Sequence, residues 1–525
     1  MSISVEKDTE LVPFEFKEFS GGDNFDLPPT AIPQNASWDS LNVDFDRAVV
    51  SKRTGYNTTA LQVGGVSITV SGGPVRLIDE FYDVNQKQWI IIATHTKVYT
   101  FDTTLLVLTD RTPAVPPNGV LTEAYVGASF FFKYFVTNNI DQPFYWDGVA
   151  ALFVYLTATG APLRAMTVKS FGAHLLWGGI KDSVLGEKPS REVWSDFQNG
   201  LVYNSGDAGS VDLEDTSDGI IAHEIIQNFL AIGRDKSIWN AQFIGTPFFY
   251  RFDRKVDVDG ISGARLFLKT PLGIVGLSKN NVILYDGGVV RYIGTGITTD
   301  ILQLSGRYIR NGHVVYNDGL YRIEIFVSSR PDGLIEKMYA FSVLYNNWRK
   351  ISYNNYIMSA GKFKTTSLPV WTVAFPGNQF WVAFPARWAD LGASLIYPQV
   401  VYGDDSGKIY DKTGIANDNL LAIQAYFKGQ VSELGYPGFK EVQVVEFILK
   451  GQAPGLLTFN LLAFDDGFNQ TVYGPYTIDM TKVPIPRIYL NAQGRYFSIY
   501  PLNNNLNETF EVRTVRLYYK PRTVF

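Results

Sequence analysis

Four histidines, His95, His174, His223 and His313, are the side chains best suited to proton transfer or metal binding near neutral pH. They stand singly, with no His-x-x-x-His pair and no His-Glu-x-x-His helix, so each reads as a turn or core residue. The chain has no cysteine, which removes disulfides, thiolate metal sites, iron–sulfur clusters and thiol nucleophiles together. A Gly-x-Ser-x-Gly elbow is missing too. Gly403-Asp-Asp-Ser-Gly-Lys408 superficially suggests a phosphate loop, but it lacks the full spacing and the hydroxyl residue after Lys408. Asp253, Asp257 and Asp259 precede Gly260 without the 12-residue ligand pattern that ends in Glu in a calcium loop. Asp212, Glu214, Asp215 and Asp218 form an acidic loop whose default reading is solvated turn carboxylates. A glycosidase needs two facing carboxylates, and nothing marks one pair above the rest among 51 acidic residues. The sequence therefore nominates no catalytic, cofactor-binding or metal-ligating residue. The expectation is a protein that is not an enzyme and carries no cofactor.

The elements that would position any site are organised by a repeated phrase. Lys279–Gly288 reads as a polar turn, a short apolar strand, an aromatic residue and then Asp-Gly. Looser copies occur at Thr96–Asp102, Gln142–Gly148, Asp235–Asn240 and Ser406–Asp411. Each follows another β-rich run, so the unit is strand, tight turn, strand, Asp stop. Copies recur at roughly forty to fifty residues or a multiple, the spacing of propeller blades. Candidate blades lie near 75–110, 118–157, 163–214, 218–256, 264–304, 309–353 and 356–412. That makes seven, with six and eight also compatible with the spacing. The Ser-x-Asp-x-Gly-x-x-Trp box of sialidase propellers is absent. From about Asn419 longer alternating strands take over, at Ile423–Lys428, Glu441–Leu449, Leu456–Phe464, Arg495–Tyr500 and Glu511–Tyr519, separated at the intervals of a β-sandwich.

Composition agrees. The 30 Tyr, 36 Phe and 10 Trp suit half-buried pleated surfaces, and 47 Gly with 25 Pro supply turns. At 525 residues the chain is too long for one core. No basic-then-apolar leader is visible at the amino terminus, and the apolar runs are too short to span a bilayer as helices. A net charge of −5 with Lys and Arg dispersed in pairs such as Lys52-Arg53 and Arg349-Lys350 argues against a nucleic-acid binder. A passage through which DNA slides has the opposite requirement, a lumen near neutral or acidic.

Residues 1–20 read as an extended arm. Gly21-Gly22, a Pro-spaced loop through Pro33, Asn42-Val43, the Asp44–Arg47 turn and Arg53-x-Gly55 follow. This series resembles the start of tail nozzle or tail hub proteins of short-tailed bacteriophages, the family that includes packaged-DNA stabilisation proteins. Trp194-Ser-Asp196, Gly206–Leu213, Asp218-Gly, Phe229–Trp239 and Phe243–Phe248 resemble the middle of that family, as does Tyr345-Asn-Asn-Trp348. The likeness spans residues 20–415 as scattered short motifs.

The expected architecture is all-β: an arm and first hairpin over 1–60, a β-propeller over 61–418 and a β-sandwich over 419–525. The resemblance implies a structural virion protein made in the bacterial host cytoplasm and placed in the phage tail. In that reading a homo-oligomeric ring, expected to be a hexamer, continues the DNA channel below the head-to-tail adaptor. It retains packaged DNA and conducts it at ejection without sequence-specific contact. It carries tail fibres or spikes and meets a distal plug or needle. Two rivals stand beside it: a tail-associated glycan-binding or glycan-cleaving propeller (an adhesin or depolymerase), and a host propeller scaffold for protein docking.

Overall fold

The computed structural model describes residues 11–56, 62–63, 66–257, 259–304, 306–363, 398–411, 415–449, 455–481 and 485–522. Its dominant feature is a ring of antiparallel blades, each a meander in which consecutive strands are hydrogen-bonded neighbours. The first blade is Val75–Tyr82, Gln88–Thr94, Val98–Asp102 and Val107–Asp110. Five more four-stranded blades follow, beginning at Val126–Phe130, Arg164–Phe171, Ile220–Ile226, Phe267–Thr270 and His313–Asn317. The seventh contains Ile357–Phe363, Gln399–Asp404 and Ile409–Asp411; part of its expected span, 364–397 and 412, lies outside the described residues.

The ring closes because Ile357–Phe363 packs directly on Val75–Tyr82, as each first strand packs on the next around the circle. A seam reinforces that closure. Thr69, from the chain just before blade 1, bridges Lys408 of blade 7, and the Val70 amide donates to the Gly407 carbonyl at 2.9 Å. Ile68 and Val70 enter one core with Val401 and Ile409, so the two ends of the propeller share buried apolar surface. Among the described residues the fold is an all-β propeller of seven blades, the seventh described in part, and the expected blade positions correspond to the observed sheets.

The recurring Asp has a physical reason. At strand ends its carboxylate accepts backbone N–H groups of the turn that follows, which would otherwise lack partners. Asp102 takes the amides of Thr104 and Leu105, Asp147 those of Val149 and Ala150, and Asp286 those of Gly288 and Val289. The Gly403–Lys408 stretch is the same device, with Asp404 Oδ1 accepting from the amides of Ser406 and Lys408.

The second unit is a sandwich of two six-stranded sheets, and its limits differ from the expected ones. One sheet holds Val43–Asp44, Val50–Lys52, Glu511–Pro521, Lys440–Leu449 and Arg487–Gly494, with Val12–Lys17 paired along Glu511–Pro521. The other holds Gly22–Asp23, Ala36–Leu41, Ala425–Gly429, Tyr496–Asn503, Leu456–Phe464 and Gln470–Asp479. Val12–Lys17 of the arm and the first hairpin are thus sandwich strands rather than a separate unit, residues 1–10 lying outside the described residues, and the propeller is inserted between them and the carboxy-terminal strands. Pairing across the chain satisfies edges that either end would leave open alone. Phe14 lies opposite Leu517, and Phe16 joins Phe447, Phe459, Val515 and Phe497 in the buried core. Strands Gln470–Asp479 and Arg487–Gly494 were not among those expected.

Candidate functional site

The first strands of all seven blades converge on an axial cavity of about 300 Å³, room for roughly ten waters. Charged side chains on or just after six of those strands alternate in sign around it, blade 2 supplying none. Asp79 stands in blade 1, Lys169 in blade 3, Glu224 in blade 4, Lys269 in blade 5, Asp318 beside blade 6 and Lys362 in blade 7. Two neighbouring pairs close as ion pairs, Lys169 with Glu224 at 3.0 Å and Lys362 with Asp318 at 2.6 Å. Asp79 instead accepts the Tyr134 hydroxyl at 2.7 Å and its own neighbour's amide, from Glu80, at 2.9 Å. Burial raises its carboxyl above the ordinary aspartate value, against the pull of those hydrogen bonds.

Arg265, just before the first strand of blade 5, reaches across the axis. Its Nη1 donates to the Arg76 carbonyl of blade 1 and to Ser359 Oγ of blade 7, both at 2.8 Å, and its Nη2 donates to the Ala360 carbonyl at 2.8 Å. The guanidinium bars the channel. Burial lowers its pKa to about 10, and burial with the Arg265 charge lowers that of Arg76 to about 9.

The residues weighed from the sequence do not gather here as a constellation. His95 sits in a turn of blade 1, where burial and then the Arg76 charge lower its pKa to about 4. His174 is buried in blade 3, its Nδ1 2.7 Å from the Ser195 carbonyl. His223 lies in blade 4 with Nε2 3.1 Å from Glu192 Oε2, and His313 stacks on Phe326 in blade 6 with ring centroids 4.6 Å apart. Asp253 is matched by Arg251 at 3.1 Å, Asp257 by Arg254 at 2.9 Å, Asp212 by Arg191 at 2.6 Å and Asp218 by Arg234 at 3.2 Å. Asp259 accepts from the Tyr292 hydroxyl, while Glu214 and Asp215 are exposed. Among the described residues, no three His, Asp or Glu side chains come together as a metal site.

The residues of the Gly-Gly, Asn-Val and Lys-Arg-x-Gly motifs do meet, at the junction between the two units. Arg53 grips Asp418 through both terminal nitrogens at 2.8 and 2.5 Å, and Asn42 Oδ1 accepts from Arg53 Nε at 2.8 Å and from the Ser352 amide at 2.9 Å. Gly22 has φ +66°, and a side chain there would strike the Trp348 carbonyl at 2.6 Å; one at Gly55 would strike the Asn417 carbonyl at 1.7 Å. Asn347 donates to the carbonyls of Ser20 and Phe45. Arg349, fully buried, pairs with Asp44 at 2.5 Å and Asp46 at 2.9 Å, while Arg322 reaches Asp44 at 3.1 Å and Asp46 at 2.6 Å.

A third feature is a face. In a four-stranded meander the first and third turns share one end of the blade. Those turns expose Leu105 and Leu106 in blade 1, Phe131, Phe132 and Val149 in blade 2, Phe197 in blade 3, Phe248 in blade 4, Val289 in blade 5, and Tyr321 and Leu344 in blade 6. The opposite end exposes fewer large apolar chains, Val115, Ile140, Val184, Leu185 and Leu302 among them. Four of the exposed residues on the apolar face hold left-handed backbone: Leu106 (φ +55°), Phe131 (+40°), Phe132 (+60°) and Tyr321 (+50°). Bulky residues pay for that conformation, which glycine or asparagine adopts cheaply.

Neither Arg265 nor the ion ring has a direct sign in the residue order. The signal that could have found them is a charge in the same place near the end of successive apolar strands: Val168-Lys169, His223-Glu224, Leu268-Lys269 and Gly361-Lys362.

No protein-family model and no curated protein sequence matches the chain. Among solved structures it is similar to the computationally designed Ika8 protein, at 12% identity and TM-score 0.36, covering 75% of this chain and 98% of that one. It is also similar to the Pan2 WD40 domain of Neurospora crassa, at 11% identity and TM-score 0.35, covering 65% and 90%. A family 32 carbohydrate-binding module of C. perfringens NanJ, solved with galactose, covers 18% of this chain and 68% of its own at 10% identity and TM-score 0.15. Likeness this distant transfers no activity to this chain.

Proposed function

We propose that the chain is a structural subunit of a short-tailed phage tail, one copy of the nozzle or hub ring that its motifs resemble. The observation that carries this reading is the apolar face with its strained turns. A two-residue hairpin turn with both residues left-handed ordinarily takes Asn-Gly. Blade 2 has Phe131-Phe132 there instead, both exposed. Strain held at a surface is accounted for when the side chains it presents are used, and large exposed apolar patches mark interaction sites. The junction supports the same reading. Motif residues far apart in sequence lock sandwich to propeller, which fixes the angle at which copies could join around a ring.

The axial cavity, barred by Arg265, is no path for DNA, so the passage in this proposal lies between copies. The proposed partners are a homohexamer of this chain, a head-to-tail adaptor, and fibres or spikes. Native mass spectrometry of the purified chain, alone and with tail components, tests the reading. Six chains of 58.7 kDa give about 350 kDa for a closed ring. A chain that stays single in both conditions and cleaves polysaccharide would support the depolymerase reading instead.

A further inference from the structure

The charge around the axial cavity does not close. Lys169 and Lys362 each hold a carboxylate, Glu224 and Asp318. Two cations on the lining remain: Arg265, whose hydrogen bonds go to two carbonyls and a hydroxyl, and Lys269, which has no ion-pair partner among the described residues. Asp79, the remaining lining carboxylate, accepts from the Tyr134 hydroxyl and can offset only one of these two cations. Behind Arg265, Arg76 is 2% exposed, yet among the described residues its Nε and Nη1 lack acceptors, and both ring nitrogens of buried His313 lack partners. Buried donors are normally paired, and positive charge held away from bulk water, as on Arg76, is costly without a counter-charge, while Lys269 is exposed at the mouth.

We propose that the axial cavity binds a small oxyanion, a phosphate or carboxylate group, held through Arg265 and Lys269. A group with several acceptor oxygens satisfies a guanidinium and an ammonium at once and offsets the surplus charge. With Lys169 and Lys362 engaged by Glu224 and Asp318, Lys269 is the cation of the ring left to meet the ligand. This site is independent of the ring assembly proposed above.

The test uses the full chain and two probes, inorganic phosphate and acetate, each titrated by calorimetry and by thermal unfolding against sodium chloride of matched ionic strength. Saturable binding of either probe, with a rise in unfolding temperature beyond the chloride control, is expected, and the tighter probe names the group. Lys269→Gln, a change at an exposed side chain, is expected to weaken binding about tenfold while leaving the unfolding temperature in chloride unchanged. Arg265→Gln is expected to abolish binding. Because it also removes bonds across the axis, Lys269→Gln is the decisive variant. The proposal is overturned if both probes act no differently from chloride, or if Lys269→Gln binds as the unaltered chain does.

Discussion

Asp23 and Asp44 sit on the same junction and titrate in opposite directions. Asp23 accepts from Ser40 Oγ at 2.5 Å and from the Lys350 amide at 2.8 Å, but burial outweighs both and lifts its carboxyl to about 7. The folded state therefore holds a proton that the unfolded chain has released between about pH 4 and 7. Its contribution is complete below the unfolded value and is lost as pH rises through about 7. Burial opposes Asp44 too, yet the Arg322 and Arg349 guanidiniums hold it well below the usual range, so its contribution is present above about pH 4 and lost as pH falls through the lowered value. Asp23→Asn is expected to flatten the decline in urea midpoint between pH 4.5 and 8. An unchanged decline would remove Asp23 as its source. Arg349→Met leaves Asp44 and Asp46 with Arg322 as their remaining guanidinium partner. A loss of about 1.5–3 kcal/mol in urea unfolding is expected, and a loss under about 1 kcal/mol would mean that Arg322 alone satisfies the cluster.

At the scale of elements, close approach decides more than propensity. Gly55→Ala must move the Asn417 carbonyl and should cost about 1–3 kcal/mol. Gly288→Ala, with nothing within 4 Å, should stay within about 0.5 kcal/mol. Equal effects in chemical denaturation would contradict the junction's tight packing. These contacts also explain what could be read from sequence. The blades were legible because the Asp at each strand end caps its turn locally, as Asp102, Asp147 and Asp286 do. Val12–Lys17 carries no mark of the sandwich in sequence because its partner lies some five hundred residues away, and pairing such as Glu15 opposite Arg516 leaves no local pattern. Arg265 was invisible for the same kind of reason. A residue that crosses the axis has meaning only once the ring has closed.

At the scale of the whole molecule, the apolar face and the turns that present it set stability against assembly. Replacing Phe131-Phe132 with Asn-Gly relieves two left-handed bulky residues, so the isolated chain should gain about 1–2 kcal/mol by thermal unfolding. The same variant should assemble less well, because its exposed rings are gone. Stability gained with assembly intact would show the turn to be strain without use. Phe248→Ser, at an exposed tip of blade 4, should leave unfolding within about 0.5 kcal/mol of the unaltered chain and weaken the same assembly, read by native mass spectrometry.

The proposal of a tail ring is tested most directly by electron cryomicroscopy of intact phage particles, with this chain located in the density. The account predicts copies arranged in a closed ring at the tail, around a passage lined by neighbouring subunits, with the apolar propeller face buried against another chain. Single copies on the particle periphery with that face open to solvent, or a lone copy gripping an ordered sugar, would contradict it.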